Sequence, residues 1–155
     1  MAVLRIYASS KMDELTHENE KFEFMPLQQD RGRYEKLFES KIYVYDANGV
    51  IGYCAYFENE IRALYVQPSG RGRGIGEEML DFMLRAIAGT AVLFVAKSNV
   101  HAKKLYTKRG FRIVDEFEVL YNGKGVLANK MEKSVNDSVA CKMTKSNRTS
   151  HSHLA

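Results

Sequence analysis

Apolar and polar residues alternate along several short stretches of the chain, and this spacing predicts β-strands. The dipeptides Asn48-Gly49 and Asn122-Gly123 each lie between two β-rich stretches, which is a strong signal for a hairpin turn. A continuous apolar run at Ala91–Ala96 is typical of a strand buried on both faces. The predicted strands are residues 3–7, 41–46, 50–57, 60–66, 91–96, 111–121 and 124–131.

Apolar residues spaced three and four apart predict helices between some of these strands. One helix is predicted at about residues 74–88 and ends before Gly89; another is capped by Ser98 or Asn99 and runs to about residue 109. The face that the first helix buries is formed by Ile75, Met79, Phe82, Met83, Ala86 and Ile87. Residues 31–40 are predicted to form a short helix and residues 12–24 a helical, mobile arm. The strand–helix–strand order over residues 60–96 predicts two parallel neighbouring strands.

The composition is that of one ordinary packed domain. The chain has 155 residues, 45% of them hydrophobic, which suggests a single domain, predicted over residues 1–133. Residues 134–155 are polar and aperiodic, and they are predicted to form a flexible tail because they cannot bury enough apolar surface to offset the entropy of ordering. Cys54 and Cys141 lie in unrelated contexts, so no disulfide is indicated and a reducing, cytoplasmic location is expected.

The charge distribution argues against a nucleic-acid partner. The net charge is +4, and residues 134–155 supply half of it with three basic residues and one acidic residue. The domain keeps 20 basic against 18 acidic residues, which is too balanced for a nucleic-acid surface. No stretch approaches the roughly 20 apolar residues of a membrane span, and the N-terminus lacks the apolar core of a signal peptide. Neither a nucleic-acid nor a membrane partner is therefore predicted.

A glycine-rich stretch, residues 70–76, lies between a predicted strand and a predicted helix. Glycines allow the backbone to approach an anion closely, and the free N–H groups of a helix N-terminus point toward it. Arg71 and Arg73 add planar, forked donors that suit phosphate. The stretch therefore predicts a phosphate or pyrophosphate site.

A second motif begins at Asn99 and ends at Phe111. Asn99 and Tyr106 are seven residues apart, so they lie on nearly the same helix face, two turns apart. Ala102, four residues before Tyr106, leaves a shallow place on that face. A ligand lying along it would meet both the amide of Asn99 and the hydroxyl of Tyr106.

Together the two motifs resemble those of the GNAT superfamily of acetyltransferases. Residues 71–76 match its Q/R-x-x-G-x-G/A turn, and residues 99–111 match its N-x-x-A-x-x-x-Y-x-x-x-G-F segment. The resemblance implies an α/β fold: a mixed, mostly antiparallel twisted sheet of about seven strands with helices on both faces. It also implies transfer of an acetyl group from acetyl-CoA to an amine by direct attack in a ternary complex, without a metal.

The resemblance also assigns roles to residues of this chain. It implies that Tyr106 gives a proton to the leaving CoA thiolate. Because the pKa of a thiol is near 8.5 and that of tyrosine near 10, full proton transfer to the thiolate is only mildly favourable. A hydrogen bond from Tyr106 to the developing thiolate is therefore expected. The implied cofactor-binding residues are Leu64, Tyr65 and Val66 along the pantetheine arm, Arg71, Gly72, Arg73, Gly74, Ile75 and Gly76 around the pyrophosphate, and Asn99 and Tyr106 on the following helix.

The general base and the acceptor are less well defined. Presenting a neutral alkylamine at pH 7 costs roughly 4–5 kcal/mol, so a base is expected to help. Glu60 and Glu58 are the candidates by position, with Tyr53 or ordered water as alternatives. Some protein-N-terminus acetyltransferases of the family carry a glutamate where this chain has Phe94, which disfavours that activity.

A small-molecule amine is the predicted acceptor, selected by residues 9–40 and 111–131. A protein lysine acetyltransferase and a non-catalytic CoA-binding or regulatory module are the alternatives. A homodimer is expected by analogy with the family.

Overall fold

The computed structural model describes residues 1–134, so nearly all of the predicted tail lies outside the described residues. The helices are α1 (Ala2–Ser10), α2 (Arg31–Glu39), α3 (Ile75–Ala86) and α4 (Val100–Lys108), with short 3-10 helices at Lys11–Leu15, Leu27–Gln29 and Pro68–Gly70. The strands are β1 (Lys41–Asp46), β2 (Val50–Phe57), β3 (Glu60–Val66), β4 (Ala91–Ala96), β5 (Arg112–Tyr121) and β6 (Lys124–Lys133). Within residues 1–134, no helix is long and apolar enough to cross a membrane.

The six strands form one mixed sheet in the order β1-β2-β3-β4-β6-β5. The neighbours β3 and β4 run parallel, and the other four pairs run antiparallel. Both predicted hairpin turns are present, and Asn48 and Asn122 have the positive φ values, 56° and 49°, that such turns require. The mixed, mostly antiparallel sheet with helices is therefore confirmed, with six strands in the described residues instead of about seven.

The predicted strand at residues 3–7 is wrong, because these residues belong to α1. The buried residues of this segment are Val3, Ile6, Tyr7 and Ser10, a spacing that fits a helix with one face on the sheet. The predicted helical arm at residues 12–24 is also wrong over most of its length. Its only regular structure is the end of the 3-10 helix Lys11–Leu15.

Helices cover both faces of the sheet and divide the core in two. Along α3, Ile75, Met79 and Met83 pack in one cluster with residues of β4. On the other face, α1 and α2 contribute Ile6 and Leu37 to a second cluster with residues of β2 and β3. Cys54 is buried in the first cluster, and burial raises the pKa of its thiol to about 11, as suits a core residue more than a nucleophile.

Candidate active site

The parallel strands β3 and β4 pair only at their beginnings and then separate. Their ladder consists of Glu60 opposite Val92 and Ile61 opposite Leu93. Immediately afterwards β3 bulges, since Ala63 pairs with Ala55 of β2 and Ile61 pairs with Tyr56, which leaves Arg62 as the extra residue. From the bulge to Val66, the β4 side of β3 has no strand partner among residues 1–134. The open edge can accept an extended ligand that carries amides.

The glycine-rich turn leads from this open edge to the N-terminus of α3. Gly72 and Gly74 have φ values of 79° and 77°, which favour glycine at both positions. The first helical hydrogen bond runs from Glu78 N–H to the Gly74 carbonyl at 3.0 Å, and no side chain of residues 1–134 caps the helix start. The preceding N–H groups therefore remain free to bind an anion.

The two arginines of the turn differ in their contacts. Arg71 donates from Nε to the Val66 carbonyl at 2.9 Å and pairs with Asp13 at 2.6 Å. Arg73 donates to the Ser69 carbonyl at 3.2 Å. Both guanidinium groups are anchored on the protein, and Arg71 connects the turn to the segment after α1.

Helix α4 presents Asn99 and Tyr106 to the same cavity. Asn99 is the N-cap, and its side-chain oxygen accepts from the Ala102 N–H at 3.3 Å, so its capping role is confirmed. The Tyr106 ring lies edge-on to Phe111, with 5.8 Å between centroids. Burial raises the pKa of Tyr106, and the negative charge of Glu14 raises it further. Tyr106 therefore remains protonated at neutral pH.

One elongated cavity of about 1250 Å³ runs from the glycine-rich turn along the open edge of β3 to α1 and α2. Ten of the eleven predicted cofactor-binding residues line it, and the exception is Arg73. The cavity wall thus brings together both sequence motifs. Its far end is formed by residues of the 9–40 region, which the sequence predicted to select the acceptor.

The two candidate bases lie in different places. Glu60 lines the cavity at the start of β3, where Arg62 donates to it at 3.1 Å. Glu58 lies in the turn between β2 and β3, with φ 54°, and is not part of the cavity wall. The structure therefore gives Glu60 access to the cavity.

A carboxylate that the sequence analysis did not single out occupies the far end of the cavity. Glu14, in the 3-10 helix after α1, accepts from the Tyr65 hydroxyl at 2.6 Å and pairs with Lys11 at 2.7 Å. Tyr7 lines the same end. The sequence analysis missed these residues because it predicted a strand at residues 3–7. The signal that could have found this face is the helical spacing of the buried residues Val3, Ile6, Tyr7 and Ser10.

Comparison with known proteins shows which family this fold and this site resemble. Residues 39–113 match the family model for the acetyltransferase (GNAT) domain. Both motifs lie within the matched residues, so the resemblance to GNAT acetyltransferases inferred from them is confirmed over this part of the chain. No curated protein sequence matches the chain.

Solved structures of this family share the fold. A GCN5-related N-acetyltransferase from Rhodopseudomonas palustris has a TM-score of 0.70 and 21% identity over 86% of this chain and 88% of that one. An acetyltransferase from Salmonella typhimurium, solved with acetyl-CoA, has a TM-score of 0.61 and 18% identity over 88% of both chains. The ribosomal-protein-S18-alanine N-acetyltransferase from Escherichia coli has a TM-score of 0.61 and 16% identity over 86% of both chains. At such identities the likeness concerns the fold.

Proposed function

We propose that this protein transfers the acetyl group of acetyl-CoA to the primary amine of a small molecule, by direct attack in a ternary complex. The observation that carries the proposal is the continuous cavity that joins the glycine-rich turn, the open edge of β3 and Tyr106. An uncapped helix N-terminus suits a pyrophosphate, and an unpaired strand edge suits the amides of a pantetheine arm. The residues present therefore fit acetyl-CoA.

In this mechanism the donor lies along the wall formed by the two motifs. The amides of Gly74, Ile75 and Gly76 bind the pyrophosphate, with Arg71 as the neighbouring cation. The backbone of Leu64–Val66 pairs with the pantetheine arm, so the thioester is directed between the separated strands. Asn99 binds the cofactor from α4.

The acceptor nitrogen attacks the thioester carbonyl, the C–S bond breaks and the thiolate leaves. Tyr106 donates a hydrogen bond to the thiolate as its charge develops. The raised pKa of Tyr106 supports this role, because the hydroxyl keeps its proton where a thiol of pKa about 8.5 has already ionised.

The proton of the acceptor ammonium has to be removed before attack. Glu60 is the candidate base that lines the cavity, with Tyr53 or ordered water as alternatives, while Glu58 stands outside the cavity wall. A Glu60→Gln variant that keeps the full rate across the pH profile would remove Glu60 from the mechanism.

Two measurements test the proposal. Acetyl-CoA at millimolar concentration is expected to raise the melting temperature, because a ligand that binds only the folded state stabilises it. Thiol release is then followed with a panel of small amines and with a lysine-containing peptide. Turnover with a small amine and little with the peptide is expected.

Tyr106→Phe is the control variant for these measurements. It should keep the stabilisation by acetyl-CoA and lose most of the turnover. Stabilisation without turnover on any amine would favour a non-catalytic CoA-binding module, and the absence of stabilisation would contradict the donor assignment itself.

A further inference from the structure

Glu14 lies at the centre of a cluster of tyrosines at the acceptor end of the cavity. One carboxylate oxygen accepts from Tyr65 at 2.6 Å, and the other contacts the Lys11 ammonium at 2.7 Å. Tyr65 belongs to the strand segment that is proposed to hold the pantetheine arm. The carboxylate is therefore one hydrogen bond away from the donor site.

Tyr65, which contacts this carboxylate, packs against two further tyrosine rings. The Tyr65 ring lies 5.7 Å from that of Tyr7 and 5.4 Å from that of Tyr53, measured between centroids. The hydroxyls of Tyr7 and Tyr53 are buried and have no hydrogen-bond partner among residues 1–134. Buried hydroxyls of native proteins nearly always have a partner, so two unpartnered hydroxyls on residues that line one cavity point to a polar ligand group at this end.

Lys11 shows what kind of group this environment accepts. Its side chain is only 10% exposed, and its ammonium contacts Glu14 while lying 5.2 Å from the ring centroid of Tyr121 and 6.0 Å from that of Tyr7. A carboxylate combined with aromatic faces is the usual environment of a bound alkylammonium. The Lys11 side chain, a butylammonium, thus occupies such an environment already.

The guanidinium group of Arg33, which also lines the cavity, is already paired. Arg33 contacts Asp30 at 2.8 Å and lies 5.2 Å from the Tyr121 ring centroid. That pair is neutral as a unit. Within residues 1–134, Glu14 forms an ion pair with Lys11 alone, and the long side chain of Lys11 can give way to a ligand of the same chemistry.

We propose that Glu14 binds the ammonium group of the acceptor in place of Lys11, and that the acceptor is therefore an aliphatic primary amine. This inference rests on the proposed function, because it assigns the substrate class of the same cavity. The hydroxyls of Tyr7 and Tyr53 accept hydrogen bonds from the incoming ammonium, and the rings of Tyr7 and Tyr121 contact its charge. Aryl amines, which are neutral at pH 7, lack the charge that this site binds.

The test uses n-butylamine, which has the structure of the lysine side chain, and the full chain saturated with CoA so that no turnover occurs. Calorimetric titration should detect n-butylamine, and butan-1-ol of the same length should bind at least tenfold more weakly. Glu14→Gln should weaken n-butylamine binding at least tenfold, while the affinity for acetyl-CoA stays within twofold. Glu20→Gln removes the same charge from an exposed site on the same segment and should change neither affinity.

Lys11→Met gives a result of opposite sign. This variant removes the Lys11 ammonium group, which competes with the ligand for Glu14, and keeps Glu14 itself. n-Butylamine should therefore bind several-fold more tightly than it binds the wild-type protein. Unchanged or weaker binding in this variant would overturn the inference, and so would equal binding of butan-1-ol or full n-butylamine affinity in Glu14→Gln. The Lys11→Met result also decides the matter if Glu14→Gln fails to fold.

The outcome is separable from that of the proposed function. If small amines are acetylated but n-butylamine binding does not depend on Glu14, only the present inference fails. If n-butylamine binds through Glu14 but no amine is acetylated, the ammonium site stands and the proposed transfer fails.

Discussion

Asp13 and Arg71 form an ion pair, with 2.6 Å between Oδ2 and Nη1, that connects the segment after α1 to the glycine-rich turn. Arg71 belongs to the proposed pyrophosphate site, and Asp13 is the neighbour of Glu14 in the 3-10 helix Lys11–Leu15. Adjacent residues of one helical turn therefore contact the proposed donor site and the proposed acceptor end of the cavity. A ligand anion that binds Arg71 has to compete with Asp13.

Replacing Asp13 by Asn should therefore strengthen CoA binding. Both side chains are about half exposed, so the pair is worth about 0.2–1 kcal/mol, which corresponds to a gain in affinity of up to about fivefold. Calorimetric titration with CoA at low and high salt measures it, and the gain should shrink at high salt. In an Arg71→Ala background the same change should have no effect, and weaker CoA binding in Asp13→Asn alone would contradict the competition.

The glycine at the start of α3 is expected to be required by its backbone conformation. A side chain at Gly74 meets no atom within 4 Å, but its φ of 77° strains any residue with a Cβ. Gly74→Ala should destabilise the fold by about 1–2 kcal/mol and weaken CoA binding, because relief of the strain moves the amides of the turn. Chemical denaturation and CoA titration measure the two effects.

Gly32 in α2 provides the matched control for this change. A Cβ at this position would also meet no atom within 4 Å, and the φ of Gly32 is not positive. Gly32→Ala should therefore stabilise the protein by about 0.4–1 kcal/mol and leave CoA binding unchanged. Equal effects of the two substitutions would show that the conformation of the turn is not what matters.

Tyr106→Phe should lower kcat by about a hundredfold while the affinity for acetyl-CoA is unchanged. Burial raises the pKa of Tyr106, with the charge of Glu14 as the second cause, so the wild-type hydroxyl should stay protonated up to at least about pH 10. The wild-type rate should rise with pH as the acceptor amine becomes neutral. A decline with an apparent pKa below about 10 that disappears in Tyr106→Phe would contradict this assignment.

The local motifs could be predicted from the sequence because each depends on its own neighbours. The positive φ of Gly72 and Gly74, the cap of Asn99 and the helical spacing to Tyr106 are all properties of short segments. The structure adds the separation of β3 and β4 and the bulge at Arg62. The proposed donor half of the cavity was therefore predictable from the sequence.

The proposed acceptor half of the cavity could not be predicted, because its residues are brought together by tertiary packing. Residues 3–7 are too few for the spacing of their apolar side chains to distinguish a strand, with a period of two residues, from a helix, with a period of 3.6. The next buried positions on that face, Ser10 and Lys11, are polar, so they do not extend the apolar pattern. The ion pair of Lys11 and Glu14 is local, at i,i+3 spacing, but its burial against Tyr65 and Tyr121 depends on distant parts of the chain. The prediction of a strand at residues 3–7 failed for the same reason.

The buried tyrosines predict how stability depends on pH. Burial raises the pKa values of Tyr7, Tyr53, Tyr65 and Tyr106, so above about pH 10 the unfolded chain has lost protons that the folded protein retains. The free energy of unfolding should then fall with rising pH, by up to about 1.4 kcal/mol per pH unit for each tyrosine, and be constant for these groups below that range. Chemical denaturation between pH 8 and 11 measures the slope of the unfolding free energy against pH. Tyr53→Phe should reduce this slope by the contribution of one tyrosine. A slope that is the same in Tyr53→Phe would show that this hydroxyl does not contribute to it.

Asn99 has two assigned roles that separate substitutions can distinguish. Asn99→Ala should destabilise the protein by about 0.5–2 kcal/mol, because the Ala102 N–H loses its acceptor. Asn99→Ser keeps an oxygen that can cap the helix but removes the amide proposed to bind the cofactor. Stability close to wild type with weaker acetyl-CoA binding in Asn99→Ser would establish both roles. Full acetyl-CoA affinity in that variant would leave Asn99 as a helix cap alone, with Tyr106 as the residue of α4 that serves the chemistry.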